Sequence, residues 1–250
     1  MILGNKSKFK GKGYVCFIDV LGFSADILNN WDRSENNPLD KILSIKSKMP
    51  VFDEVEPKGG SHRQYVCKVN TVSDSVTICF GFEEELIVGD LVLGLESVIA
   101  NVSYIWSTFI QEGYTIRGAI DFGDIYWDQN EIIGPSFINA YRLESTVAKT
   151  SRVLVSSGLN KLLGNLYRNP LNPLTEYLTR NFTKDVDGYV IVDPNVIYSS
   201  DEERVYLLDK LITMRDAVKP PIVKEKYTSL IHLLNEAKAV RLEPEEYGRY

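Results

Sequence analysis

The sequence predicts an α+β fold in which strands and helices alternate irregularly along one chain. Residues 14–18 form an unbroken run of strand-forming apolar side chains. Residues 64–80 contain two more strand-like runs joined by a short turn. Between residues 83 and 111, apolar side chains recur every three or four positions, which is typical of a helix with one buried face. This mixture of hairpins and helices is typical of a ferredoxin-like arrangement.

The remaining elements follow from turn formers and apolar periodicity. Gly113 ends the long helix, and Pro135 occupies the favoured first turn of a later one. In chain order, the other predicted elements are helices over residues 23–31 and 39–49, a strand over 114–121 with a returning segment over 124–127, a short strand and helix start at 132–135, a strand over 152–156, a helix over 158–166 and a strand over 189–192.

The C-terminal part of the sequence is purely helical in pattern. Residues 201–218 and 222–242 form two amphipathic segments, which are separated by the pair Pro220 and Pro221. We therefore divide the chain into a domain over residues 1–200 and a helical extension over 201–250. We expect the extension to pack on the domain; participation in a dimer interface is the alternative.

Composition excludes several classes of protein. With 44% apolar and 25% charged residues in 250, the chain is long enough for a full core, and its net charge of -6 argues against a nucleic-acid-binding surface. The cysteines, Cys16, Cys67 and Cys79, lie in predicted strands and indicate a reducing compartment. No signal peptide is apparent, and the long helix carries Asp90 and Glu96, which disfavour a membrane span. We expect a cytoplasmic protein without a membrane partner.

Two carboxylates occupy positions that suit a metal site. Asp19 ends the apolar run of the first strand, where a buried carboxylate must be paired, protonated or bound to a metal. Asp74 lies at the tip of the predicted hairpin. Together they form a plausible site for a hard divalent cation bound to substrate phosphates. The alternative for Asp19 is a structural cap of the helix that follows.

Four motifs in this order resemble the catalytic domain of class III nucleotide cyclases. They are a strand followed by Asp-x-x-Gly-Phe-Ser at residues 19–24, an x-x-x-Asp hairpin at 71–74, Arg-Gly-Ala-Ile at 117–120, and the segment from Gly134 to Glu144. The resemblance covers roughly residues 14–192. It implies the cyclase form of the ferredoxin-like fold and formation of a cyclic nucleotide with release of pyrophosphate.

The resemblance also implies roles for single residues. Asp19, Asp74 and the Val20 carbonyl would bind two Mg²⁺ or Mn²⁺ ions, and Arg142 would stabilise the charge of the transition state. Phosphates would contact backbone amides of residues 21–24, which include Gly22, Phe23 and Ser24.

Other charged residues of these motifs have structural interpretations. An ion pair with Glu144 or with a neighbouring loop is the structural alternative for Arg142. Arg117 is interpreted as structural, and Asp121 and Asp124 as turn residues that face a loop.

The chain departs from the family pattern at the ribose and base positions. Ile138 stands where the family usually has the asparagine that contacts ribose, and Asn139 lies one place away, about 100° round the helix. Asn70 and Glu131 occupy the two base-reading positions, and neither matches the usual adenine or guanine pair. A carboxylate at 131 would accept a hydrogen bond from the cytosine amine, whereas Asn70 suits either pyrimidine.

With these departures, the sequence looks like the pyrimidine cyclases of bacterial Pycsar antiphage systems. That resemblance implies a homodimer with shared active sites, UTP or CTP as substrate, and cUMP or cCMP as a messenger for a separate effector. Two other hypotheses stay open: a retired cyclase fold that senses nucleotides, and an adenylate cyclase with unusual base contacts.

Overall fold

The computed structural model describes residues 8–35, 37–48, 65–83, 85–167 and 180–235. Its elements are β1 Phe9–Leu21, α1 Phe23–Asn30, α2 Pro38–Lys48, β2 Tyr65–Val72, β3 Ser75–Phe82, α3 Val88–Gln111, β4 Thr115–Trp127, β5 Ile132–Ile133, α4 Pro135–Val147, β6 Val153–Val155, α5 Ser157–Tyr167, β7 Phe182–Lys184, β8 Val190–Val192, a 3-10 helix Pro194–Ile197, α6 Asp201–Ala217 and α7 Pro221–Asn235.

The order of the strands confirms the predicted ferredoxin-like α+β fold. Within the described residues one sheet runs β2-β3-β1-β4-β6-β8-β7, with β5 paired to the end of β4. Because β3 pairs antiparallel with both β2 and β1, the strands β1 and β2 are parallel and separated by β3. Likewise β3 and β4 are parallel and separated by β1. These two interleaved βαβ units place β1 at the centre of the domain.

Different helices pack on the two faces of the sheet. Even-numbered side chains of β1, from Tyr14 to Val20, lie in the main core beneath α1, α2, α3, α6 and α7. Odd-numbered side chains such as Val15 and Phe17 face α4 in a smaller apolar cluster. The ring of Phe17 meets those of Phe137 and Tyr141 of α4 at centroid distances of 6.0 and 5.3 Å. Asp19 continues this odd-numbered row, so its side chain points to the α4 side.

Several predicted boundaries were wrong. The segments 114–121 and 124–127 belong to one continuous strand, because β4 pairs with β1 along its whole length and Gly123 lies opposite Gly13. Long pairing therefore outweighs the local turn formers. Asp121 is consequently not a turn residue but a buried residue of β4. Residues 49, 64 and 236–250, at which predicted elements begin or end, lie outside the described residues.

The long helix α3 is a core element. Its length of 24 residues, and the mean hydropathy of 1.4 in its most apolar window, would suffice for a membrane span by length and composition alone. However, 56% of its most apolar window is buried inside the protein, and Val98, Val102 and Phe109 are fully covered. Packing against the sheet therefore accounts for its apolar character.

The two C-terminal helices also pack on the core. Leu207 and Leu211 of α6 and Leu230 of α7 are fully buried in the main core cluster. The predicted helical extension is thus confirmed for the part of it that the structure describes. The division of the chain at residue 200 remains a prediction.

Candidate active site

Asp19 is held by an arginine on the neighbouring strand. The register of β1 and β4 places Asp19 directly opposite Arg117. Arg117 donates hydrogen bonds from Nε and Nη2 to Oδ2 of Asp19, at 3.0 and 2.8 Å. Both bonds use the same carboxylate oxygen. Burial raises the pKa of Asp19, and the hydrogen bonds and charge of Arg117 oppose that rise.

Arg117 also contacts a buried carboxylate of α4. The Nε atom of Arg117 lies 2.8 Å from Oε1 of Glu144, and only 3% of the Glu144 side chain is exposed. Burial raises the pKa of Glu144 to about 7, with the charge of Arg117 lowering it and that of Asp19 raising it. Asp19, Arg117 and Glu144 therefore form one ionic group between the sheet and α4. The structural alternative for Arg142, an ion pair with Glu144, is not found among the described residues, where Glu144 pairs with Arg117.

Asp74 lies beside Asp19. The hairpin places Ser75 opposite Asp19. Asp74 is the residue before Ser75 and belongs to the two-residue turn that joins β2 to β3. Ser73 begins the turn with φ 52°, a left-handed conformation. The charge of Asp74 adds to the rise in the pKa of Asp19 and also acts on Lys46 of α2. The structure thus brings both predicted metal carboxylates and one cation to the same corner of the sheet.

The turn from β1 to α1 leaves backbone donors at this corner. Gly22 has φ 90°, a conformation that favours glycine, and no side chain caps the helix. The first N–H groups of α1, including those of Phe23 and Ser24, lack intrahelical acceptors. Of these predicted phosphate-binding residues, Phe23 has its ring buried against Tyr114, so only its backbone faces the site. Ser24 is exposed.

Arg142 lies on the outer side of α4. Ser136, Ala140 and Glu144 form the buried side of this helix. Two residues of helix turn the chain by about 200°, so Arg142 points away from Glu144. Its side chain is exposed and has no hydrogen bond or ion pair with any residue in the described ranges.

The two residues at the predicted ribose position differ in their surroundings. Ile138 is 44% exposed. Asn139 instead donates from Nδ2 to Oδ2 of the buried Asp121, at 3.1 Å. One donor of its amide therefore stabilises the attachment of α4 to the sheet.

The two predicted base-reading residues share one neighbourhood. Asn70 lies opposite Thr77 in the β2–β3 pairing, and Lys68, two residues earlier, lies on the same face of the strand. Lys68 Nζ donates to the carbonyl oxygen of Asp128. Asp128 in turn accepts a hydrogen bond from the backbone N–H of Glu131, at 2.9 Å. The hydrogen bond from Lys68 thus links the turn that contains Glu131 to the strand that contains Asn70.

Sequence reasoning missed three contributors to this arrangement. Arg117 was interpreted only as a structural residue, Glu144 only as a partner of Arg142, and Lys68 was not considered. The alternation of side chains along a strand could have placed Lys68 beside Asn70. The contact between Arg117 and Asp19 depends on a strand pairing that no local pattern records.

Comparison with known proteins yields distant structural likenesses. No protein-family model and no curated protein matches the chain. Among solved structures, the adenylyl cyclase CyaB from P. aeruginosa is similar at 19% identity and a TM-score of 0.42, over 64% of this chain and 83% of that one. The guanylyl cyclase Cya2 is similar at 12% identity and a TM-score of 0.37, over 60% and 77%. Likenesses this distant carry no functional argument, so function must be argued from the site.

Proposed function

We propose that this protein is a nucleotide cyclase of the class III type that converts UTP or CTP into the 3′,5′-cyclic monophosphate and pyrophosphate. The observation that carries the proposal is the meeting of Asp19, Asp74 and the uncapped start of α1 at one corner of the sheet. Two carboxylates suit a divalent cation, and free backbone N–H groups at a helix start suit phosphate. The corner thus has carboxylate ligands for the metal and hydrogen-bond donors for the phosphates of a metal-bound nucleoside triphosphate.

The carboxylates at this corner fit a metal that is shared with substrate. Among the described residues no group of three or more His, Cys, Asp or Glu side chains could hold a metal alone. Asp19 and Asp74, with the Val20 carbonyl, would hold Mg²⁺ or Mn²⁺ together with phosphate oxygens and water. Bound Mg²⁺ or Mn²⁺ would lower the pKa of the ribose hydroxyl and neutralise phosphate charge.

The position of Arg142 favours a site shared between two subunits. Its planar guanidinium suits the charge of a phosphoryl transition state, but it points away from Asp19 of its own chain. An exposed arginine without a partner among the described residues is available to a second copy of the chain. A symmetric homodimer would then contain two equivalent sites, each with the aspartates of one subunit and Arg142 of the other.

Asn70 and Glu131 are proposed to read the base. Both belong to one neighbourhood held by Lys68, and together they present an amide and a carboxylate. This pair suits the donor and acceptor edges of a pyrimidine. By the resemblance to Pycsar cyclases, the product would activate a separate effector in antiviral defence. Asn139, whose amide already contacts Asp121, is proposed to contact ribose through its remaining polar atoms.

The proposal is tested by incubating the protein with each of the four nucleoside triphosphates and manganese, and by identifying products by mass spectrometry. A cyclic pyrimidine monophosphate is the expected product. Cyclic AMP alone would instead establish an adenylate cyclase with unusual base contacts. No product from any base would favour a retired, nucleotide-sensing fold, which the isoleucine at position 138 would explain.

A further inference from the structure

Tyr227 of α7 is a largely buried tyrosine whose hydroxyl has no partner among the described residues. Its side chain is 7% exposed and packs in the main core. No described residue forms a hydrogen bond with this hydroxyl. The hydroxyl oxygen is not among the fully buried unpartnered atoms of the described residues, so it is accessible while the ring is held in the core. A hydroxyl that is held in place, accessible and without a protein partner is available to a ligand.

The hydroxyl of Tyr227 points to the turn between β1 and α1. It lies 3.7 Å from the position that a Cβ atom would occupy on Gly22. Gly22 is the residue before α1, where helical N–H groups have no side-chain cap. The Tyr227 hydroxyl of the C-terminal extension thus lies next to the residue that precedes the uncapped start of α1.

The donors define the chemistry of the ligand. Burial raises the pKa of Tyr227, so the hydroxyl stays protonated and donates. The N–H groups at the start of α1 can only donate, and the amino end of a helix favours negative charge. A group with several acceptor oxygens and negative charge, such as a phosphate, satisfies both the hydroxyl and these N–H groups.

We propose that Tyr227 is a substrate-binding residue whose hydroxyl donates a hydrogen bond to a phosphate of the nucleoside triphosphate at the start of α1. The inference rests on the proposed function in that it takes the triphosphate as the natural ligand. It makes the C-terminal helices part of the substrate site. Tyr227 is 205 positions after Gly22 in the sequence, so α7 must be docked for the phosphate site to be complete.

The experiment compares Tyr227→Phe with wild type and with Tyr206→Phe. Tyr206 belongs to α6 and is 47% exposed, so its variant controls for loss of a tyrosine hydroxyl elsewhere in the extension. Binding of inorganic tripolyphosphate to the full chain is measured by calorimetry with Mg²⁺, and thermal unfolding is measured without ligand. We expect Tyr227→Phe to weaken binding about tenfold, which is the usual effect of one lost hydrogen bond to a charged group. Tyr206→Phe should bind as wild type does.

The melting temperature separates binding from a structural role. Tyr227→Phe should melt at the wild-type temperature, because the removed hydroxyl has no partner among the described residues. Equal tripolyphosphate affinity in wild type and Tyr227→Phe, no binding to wild type, or a large loss of melting temperature would each overturn the inference. A protein that binds tripolyphosphate through Tyr227 but forms no cyclic product would refute the proposed function alone. A working cyclase whose KM is unchanged in Tyr227→Phe would refute the inference alone.

Discussion

The Asp19 corner of the sheet and the outer side of α4 hold charged residues in opposite states. Asp19 is paired with Arg117, which in turn contacts the buried Glu144. Arg142, two residues earlier on the same helix, is exposed and unpaired within the described residues. Asp19, Arg117 and Glu144 are thus paired with one another by the fold, whereas Arg142 is available to a ligand or a second subunit. We expect loss of Arg117, which holds Asp19 and Glu144, to change stability, and loss of Arg142 to change activity alone.

The largest effect is expected on catalytic activity, from single substitutions of the proposed metal ligands and of Arg142. Asp74→Ala removes a proposed metal ligand, and Arg142→Ala removes the proposed transition-state contact, so each should reduce kcat/KM at least about 10³-fold. Both side chains lie at or near the surface, so melting temperatures should stay close to wild type. Asp19→Ala should also abolish turnover. Wild-type activity in either aspartate variant would contradict the metal assignment.

Mixing the Asp74→Ala and Arg142→Ala proteins tests the shared site. Under conditions that let subunits exchange, about half the dimers would be heterodimers with one intact site, so activity should return to about a quarter of wild type. A mixture of Asp74→Ala with Asp74→Asn protein is the control and should stay inactive. If labelled subunits demonstrably exchange while the first mixture also stays inactive, the shared-site proposal is wrong.

The next effect concerns stability. Arg117→Met keeps side-chain volume but leaves Asp19 and Glu144 without their cation, which should lower the free energy of unfolding by about 2–4 kcal/mol at pH 8. Arg142→Met is the matched control and should change it by less than about 0.5 kcal/mol. Urea unfolding measures both. Equal effects of the two substitutions would remove the contrast between the two regions.

A smaller effect should appear in the pH dependence of stability. Because burial raises the pKa of Glu144 to about 7, its contribution to stability is complete below about pH 4.5, the usual range of a glutamate, and is lost as pH rises through 7. The free energy of unfolding of wild type relative to Glu144→Gln should therefore fall by about 2–3 kcal/mol between pH 4.5 and 8. Urea titrations at a series of pH values measure this difference. A difference that is independent of pH would show that the pKa of Glu144 is the same in the folded and the unfolded protein, and would contradict the prediction.

The smallest effect is expected at the base-reading pair. Asn70→Ala and Glu131→Ala should change the ratios of kcat/KM among UTP, CTP and ATP by about tenfold, and change the rate with the best substrate less. Asn165→Ala, an exposed asparagine of α5, is the control. Competition assays with mixed nucleotides give the ratios directly. Equal losses for every nucleotide would mean that neither residue reads the base.

Much of the fold follows from local patterns. The apolar run before Asp19 predicts β1, and the residues around Ser73 predict the hairpin, because alternation and turn chemistry are properties of neighbouring residues. Gly22 and the helix after it were predicted for the same reason. The continuous strand β4 was not, since its local turn formers at 123 and 124 disagree with a pairing that only β1 imposes.

The sequence by itself determined which residues are proposed to carry the chemistry: Asp19 at a strand end, Asp74 at a hairpin tip and Arg142 on α4. The tertiary structure alone decided how these residues are supported. Arg117 meets Asp19 across 98 positions, and Tyr227 reaches Gly22 from the far end of the chain. Such contacts depend on sheet order, register and helix docking, and these are selected by burial of the whole core rather than by any short stretch.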